Sequence, residues 1–591
     1  MLSANGTYYQ NSGQSLRELG TFADLSLKLN FASTSLSLAT EALSMAQEMR
    51  PPDDRVSSNL RRMVAAATAN GDFPAALGFA NQLKQIALSL NDSPENTRNS
   101  AEIYLSLADV KRQMKNCSEA LTDYDQALEL YRRLPEFTAS SYLIHKGKLF
   151  CFQQLDRRED FGRELQTVLN LSEEYRATIR EDDSRQAFFA SEQEVFDAAA
   201  ANAIRDGDSR HAFELIEDSR ARSLLDFMES DKPIVEVEKN FALVTHPLSL
   251  QEIQARLPEQ VQIVQYAVLP NKLAIWVVSK TRFDLIERPI DAADLARKIE
   301  DYQASLTGKA AASELKQTAA ELYGLLIPPD LATDKQICVI ADKSLHQLAF
   351  ASLVAPGGRY LLEDHALSYA PSASVLVIAT ENATRKDQVN ERLLSIGNPD
   401  FDREENSNLP DLGSAETEAT SIAKDYGSDN VSIGVGATKD KFLRSFTEVE
   451  VIHFAGHFLA NRQSPGNSKL LFAGGELRSS ELGTYKLPRA KLVVLSACET
   501  GFERYDKSEG AIGIARTFLA LGAPLVVASQ WKVDSEPTKD LMIAFHRNRK
   551  EKQMTSAESL RRAQREVMNN DRTRAPFYWA AFSLFGGYAN Y

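Results

Sequence analysis

Residues 491–501 read KLVVLSACETG, and residues 448–458 read EVEVIHFAGHF. Each holds a short apolar run, the pattern of a strand buried on both faces of a parallel sheet. Each run ends in a reactive side chain, Cys498 in the first and His457 in the second. In parallel α/β sheets, functional groups collect at the carboxyl ends of the strands, where loops are exposed. Two neighbouring strands ending this way set a base beside a thiol, and an imidazole that takes the thiol proton leaves a thiolate nucleophile. The backbone amides of Cys498 and Phe458 are candidates for an oxyanion hole. Gly456 is expected to free the chain to turn just before the histidine. No third polar partner stands out, so a dyad of His457 and Cys498 is expected. Blander readings stay open on these residues alone. A single cysteine at a strand end is most often a small buried hydrophobe, and His457 by itself could be a hydrogen-bonded structural histidine. His453, between Ile452 and Phe454, is expected in the core, and Cys117, Cys151 and Cys338 are expected to serve packing.

Working outward, the segment around these motifs alternates strands with amphipathic helices. VQIVQYAVLPNKLAIWVVS reads as two strands joined by a short turn. Short apolar runs at Gln336–Ile340, Arg392–Ile396, Val449–Ala455, Lys491–Ser496 and Leu525–Ser529 follow, which predicts an α/β domain with a largely parallel sheet. Polar stretches at 382–388 and 398–408 are expected to be exposed loops, the first separating two subdomains. Residues 1–230 instead read as helices throughout, with apolar positions at three- and four-residue spacing. A 44-residue step runs through them: Ala76-Leu77, Ala120-Leu121 and Glu164-Leu165 align, as do Leu60 and Tyr104. Two helices per step predict stacked helical hairpins. Residues 116–134 resemble a tetratricopeptide repeat, with small Ala120 and Ala127 and groove-filling Tyr124 and Tyr131.

Bulk properties narrow the function. The 591 residues carry a net charge of -14, against broad nucleic-acid binding. Four dispersed cysteines form no CxxC pair and suggest neither a disulfide framework nor a metal site, and a reducing, cytoplasmic setting is expected. No apolar run has the length of a membrane span and no secretory leader is read at the N-terminus. No phosphate-binding loop or dinucleotide fingerprint occurs, so no cofactor is expected.

The segment from about Leu331 to Tyr591 resembles the CHAT family of caspase-like peptidases, which commonly follow tetratricopeptide repeats. The resemblance is carried in order by IADKSLHQLAFASLV, LEDHALSYAPSASVL, LPDLGSAETEATSIA, VIHFAGHF, LVVLSACETGF, GAIGIARTFLALGAPLVVASQWKVD and PFYWAAFSLFG, and AFELIEDSRARSLLDFM resembles the helix that links repeats to this domain. It implies an α + α/β chain: a helical repeat solenoid (1–230), an inactive caspase-hemoglobinase-like α/β subdomain (231–380) and an active one (381–591). His457 and Cys498 take the positions of the peptidase histidine and cysteine, and His346 is structural. Two positions depart from the pattern: Phe458 stands where many relatives have glycine, and Ser535 stands where a second acid often follows the Trp531–Val533 segment. The implied function is a cysteine endopeptidase cutting a partner protein. Asp534, Glu536 and Glu509 are candidate substrate contacts, a carboxylate there favouring Arg or Lys before the scissile bond. The helical repeats are expected to recruit substrate, activator or inhibitor. Many bacterial relatives are tied to defence or programmed death. The alternative is an inactive caspase-like scaffold.

Overall fold

The computed structural model describes residues 12–29, 31–48, 54–89, 93–134, 138–176, 182–220, 222–239, 245–308, 312–386, 391–498, 500–501, 504–506 and 510–591. The chain divides into two compact units, Met1–Arg185 and Gln186–Tyr591.

The first unit is built of helices α1 (Ser12–Lys28), α2 (Ala32–Glu48), α3 (Asp54–Ala69), α4 (Phe73–Ser89), α5 (Pro94–Gln113), α6 (Cys117–Tyr131), α7 (Thr138–Gln154) and α8 (Arg158–Arg176). Three-residue links join α3 to α4, α5 to α6 and α7 to α8, and all three close alike. The middle residue is left-handed: Gly71 (φ 74°), Lys115 (φ 61°) and Asp156 (φ 52°). The next amide then reaches back across the helix end, from Asp72 to the Ala67 carbonyl, Asn116 to Lys111 and Arg157 to Phe152, each at 2.9 Å. This is the Schellman closure, which satisfies carbonyls that a helix end would otherwise leave open. The 44-residue step holds from Phe73 to Cys117, and Ala76 and Ala120 are both fully buried. It fails in the third hairpin, where α8 starts 41 residues after α6, at Arg158. Phe161, not Glu164, therefore occupies the place of Ala120 and is buried, while Glu164 pairs with His145 at 2.7 Å. Tyr124 fills the groove as expected. A β-carbon on Gly147 of α7 would lie 2.2 Å from its ring, so the glycine is what lets the two helices close.

A fourth hairpin, α9 (Asp182–Arg205) and α10 (Ser209–Asp218), has the same link, with Gly207 at φ 82° and Asp208 reaching Ala203 at 2.9 Å. Nearly all of it belongs to the second unit, so the division falls at 185/186 rather than at 230/231. Its charges explain why. Glu217 is buried and accepts from the Ala373 and Ser374 amides, both at 3.1 Å, at the start of helix Ala373–Arg385. Arg220 donates to the Tyr266 carbonyl at 2.6 Å and lies 3.3 Å from Asp342.

The second unit holds one eleven-stranded sheet: β1 (Val261–Leu269), β2 (Lys272–Val278), β3 (Phe283–Pro289), β4 (Gln336–Ile340), β5 (Leu367–Tyr369), β6 (Leu393–Pro399), β7 (Val431–Gly434), β8 (Val451–Ala455), β9 (Leu492–Ser496), β10 (Leu525–Ser529) and β11 (Phe582–Gly586). Their spatial order is β3-β2-β1-β4-β5-β11-β10-β9-β8-β6-β7. β2 is antiparallel to both neighbours, and β10–β11 is the other antiparallel pair. Two halves, β1–β5 and β6–β11, thus share a sheet and meet through Tyr369 and Phe585. Residues 382–385 are helical rather than a loop, and of the loop expected at 398–408 the first two residues belong to β6, the irregular segment running over 400–412. Residues 387–390 lie outside the described ones.

Candidate active site

The site is built by register. β8 and β9 are parallel neighbours with Ala455 opposite Ser496, and the Gly456 amide donates to the Ser496 carbonyl at 3.3 Å. His457 and Cys498 each stand two residues beyond that last pair, at the same end of neighbouring strands. Cys498 is partly exposed, whereas Cys117, Cys151 and Cys338 are buried. Burial pushes the thiols of Cys151 and Cys338 up, Cys338 to about 12, which keeps both protonated.

His457 has a backbone partner that residue types could not announce. Its Nε2 lies 2.9 Å from the carbonyl oxygen of Pro410, in the segment after β6. A carbonyl only accepts, so Nε2 carries the proton and Nδ1 is left with the lone pair. The ring also stands edge-on to Phe401, centroids 5.0 Å apart, and Arg403 lies 4.9 Å over that phenyl face. Burial holds the imidazole below its ordinary value. The Pro410 bond and Asp411 oppose the shift, and Arg403 adds to it. The neutral, base-competent form therefore persists to lower pH than in a free histidine.

The turn after Cys498 is tied to the end of β10 by neutral hydrogen bonds. The buried Thr500 hydroxyl accepts the Ser529 amide at 3.0 Å, Ser529 Oγ donates to the Ala497 carbonyl at 2.5 Å, and the Gly501 amide donates to the Ser529 carbonyl at 2.8 Å. Gly456 plays a steric role rather than the expected conformational one. Its φ is not left-handed, but a β-carbon there would sit 2.9 Å from Phe454 and 3.1 Å from Pro399. Phe458 opens a short strand, Phe458–Leu459, opposite Leu470. Leu471 donates to the His457 carbonyl at 3.1 Å, which makes Phe458 and Leu470 a non-hydrogen-bonded pair. The Phe458 amide consequently points away from that ladder.

Residues 316–587 match the CHAT domain model. The chain carries a CHAT domain. It is 26% identical to human Tetratricopeptide repeat protein 28 over 45% of this chain and 13% of that protein, and 25% identical to the mouse protein over the same shares. The chain thus matches 13% of the length of these curated relatives. Among solved structures, separase in the Saccharomyces cerevisiae separase–securin complex aligns with 98% of this chain and 53% of its own, with TM-score 0.45 and 9% identity. BtubC from P. vanneervenii aligns with 36% of this chain and 89% of its own, with TM-score 0.29 and 18% identity.

Within the CHAT domain the other expected contacts divide. Asp534 is exposed and stands just before helix Ser535–Lys552, beyond the end of β10. Glu536 is exposed, and its carboxylate is engaged by Lys539 at 2.6 Å and by the Ser414 hydroxyl. It bridges two helix starts, Gly413 and Ser535, rather than standing open toward a ligand. Glu509 lies outside the described residues. His346 stands half-buried in the β1–β5 half, and desolvation lowers it to about 4. With Arg516, Gln530, Tyr369, Gly501 and Phe585 it lines a cavity of about 40 Å³. His453 is a fully buried core residue whose Nδ1 is 3.2 Å from His546 Nε2. Among the described residues no cluster suited to a metal ion occurs, and no helix is long and apolar enough to cross a membrane.

Proposed function

We propose that the chain is a cysteine endopeptidase in which His457 is the general base and Cys498 the nucleophile. The observation that carries this reading is the shared register of β8 and β9 together with the Pro410 carbonyl on His457 Nε2. Nδ1 takes the Sγ proton, and the thiolate attacks the carbonyl carbon of the scissile peptide. The resulting oxyanion is held by the amides of Phe458 and Cys498. The imidazolium returns its proton to the departing amine, leaving a thioester. A water molecule, deprotonated by His457, then releases the acid and restores the thiol.

The substrate is a protein segment bound in extended form, with a basic side chain before the cut facing Asp534. Glu536, held by Lys539 and Ser414, shapes that approach rather than meeting the substrate. The helical hairpins recruit the substrate or an activator, as stacked repeats offer an extended surface to partners. The test is a cleavage profile on a peptide library with wild type, Cys498→Ala, His457→Ala and Asp534→Ala. Cleavage lost in the first two variants supports the dyad, and a basic preference that survives Asp534→Ala removes Asp534 from the pocket. A Cys498→Ala chain that keeps full biological function would favour the inactive-scaffold alternative.

A further inference from the structure

We propose that Asn398 is the positioning residue of this site, holding the segment after Pro410 so that the Pro410 carbonyl stays on His457 Nε2. The inference rests on the dyad reading and concerns how the base is kept in its working tautomer. Asn398 stands where β6 leaves the sheet, in a left-handed conformation (φ 45°) that asparagine tolerates better than most side chains. The β6–β7 pairing shifts register there, between Gly397 and Pro399. The side chain is buried, with 6% exposure.

All the bonds seen for its amide go to one short segment. Nδ2 donates to Asp411 Oδ1 at 2.9 Å and to Glu416 Oε1 at 3.0 Å, while Oδ1 accepts the Leu412 amide at 3.1 Å. One donor bond and the acceptor are thus used on the two residues directly following Pro410, and the other donor bond on Glu416 in the first turn of the next helix. Proline has no N–H with which to anchor itself, so the direction of its carbonyl is set by its neighbours. Asn398 supplies that constraint from the sheet. The next residue, Pro399, packs where a β-carbon on Gly456 would be, so one corner of β6 borders both sides of the histidine.

The chemistry requires such a constraint. With Pro410 accepting from Nε2–H, the Nδ1 lone pair is presented as base, and the imidazolium formed on proton transfer keeps its acceptor. If the 410–416 segment drifts, that acceptor is lost and the other tautomer becomes available. The thiolate–imidazolium pair is then less favoured, and Cys498 ionises at higher pH.

The test uses the full chain and iodoacetamide. The rate of Cys498 alkylation is followed by peptide mass spectrometry across pH for wild type, His457→Ala, Asn398→Gly and Asn398→Asp, with melting temperatures measured in parallel. Glycine keeps the backbone conformation and removes the amide. Aspartate keeps the shape and left-handed tolerance but sets an acceptor against Asp411 and Glu416, and it carries the test if the glycine variant is too unstable to purify. The expected result is an alkylation profile shifted upward by about one pH unit, roughly tenfold slower on its acid limb, in the Asn398 variants. Wild-type profiles in the Asn398 variants, with His457→Ala clearly altered, overturn the positioning role alone. A His457→Ala profile identical to wild type overturns the dyad reading and this inference with it.

Discussion

The two halves of the sheet treat their strand ends differently. At the end of β4, Asp342 is buried and accepts the Val268 amide at 2.7 Å with Arg220 3.3 Å away, and Lys343 reaches Asp197 at 2.6 Å. Burial pushes the Asp197 carboxyl up, and His346 beside this network is held neutral. At the ends of β8 and β9, the turn is held by Thr500 and Ser529 through neutral bonds, and His457 and Cys498 remain partly open to solvent. Full charges lock the linking helix to the first half. Neutral hydrogen bonds shape the turn in the second, beside a partly exposed thiol and imidazole. The two places thus differ in what holds them, ion pairs at the end of β4 and neutral hydrogen bonds at the ends of β8 and β9.

The largest effect that separates the halves is on cleavage. Cys498→Ala is expected to lower peptide cleavage by on the order of 10⁴-fold or more. Cys338→Ala, at a buried cysteine of β4, should leave turnover per folded molecule unchanged in the same assay. Next comes stability. Asp342→Ala strips a buried carboxylate from Arg220 and should cost about 3–5 kcal/mol in urea unfolding, with the Cys498 alkylation rate of the folded fraction unaltered. Thr500→Val leaves the buried Ser529 amide without its acceptor and should cost less, about 1–3 kcal/mol by the same measurement. Unlike Asp342→Ala, it should also slow Cys498 alkylation, because the turn that carries the thiol loosens. The smallest effect is electrostatic. His457 lies below its ordinary value, so the acid limb of kcat/KM should fall below about pH 6.5. Arg403→Gln removes a cation that lowers this value and should move the limb upward by a few tenths of a pH unit, read from pH–rate profiles.

The parallel core was legible because buried strands announce themselves by composition, and β4 and β10 have the bounds expected from their apolar runs. The strand-end positions of His457 and Cys498 were legible from the apolar runs before them, whereas the role proposed for the pair came from the family resemblance. Pro410 was not legible, since a backbone carbonyl leaves no mark in residue type, and its use depends on where the segment 400–412 folds back. Asn398 carried a faint signal: an asparagine between Gly397 and Pro399 at a strand end is a position where left-handed geometry is common. The third hairpin was misaligned because a fixed step ignores a three-residue shortening, whereas the left-handed residues Gly71, Lys115, Asp156 and Gly207 mark their hairpins directly. The partners of Glu217 and Arg220 lie from 46 to 157 residues downstream, beyond the reach of any local pattern.

The seam between Tyr369 and Phe585 has a practical meaning for anyone cutting the chain. On one face of the sheet a single apolar core runs from Val264 and Tyr302 to Val451, Leu560 and Trp579, so both halves contribute to it. A fragment beginning at 381 would bare that face along β11 and leave the residue opposite Phe585 missing, inviting aggregation. One beginning at 231 would discard Glu217 and Arg220 and leave the Ala373 helix start and Asp342 without their partners. A piece starting at Gln186, where the second compact unit begins, keeps all of these together.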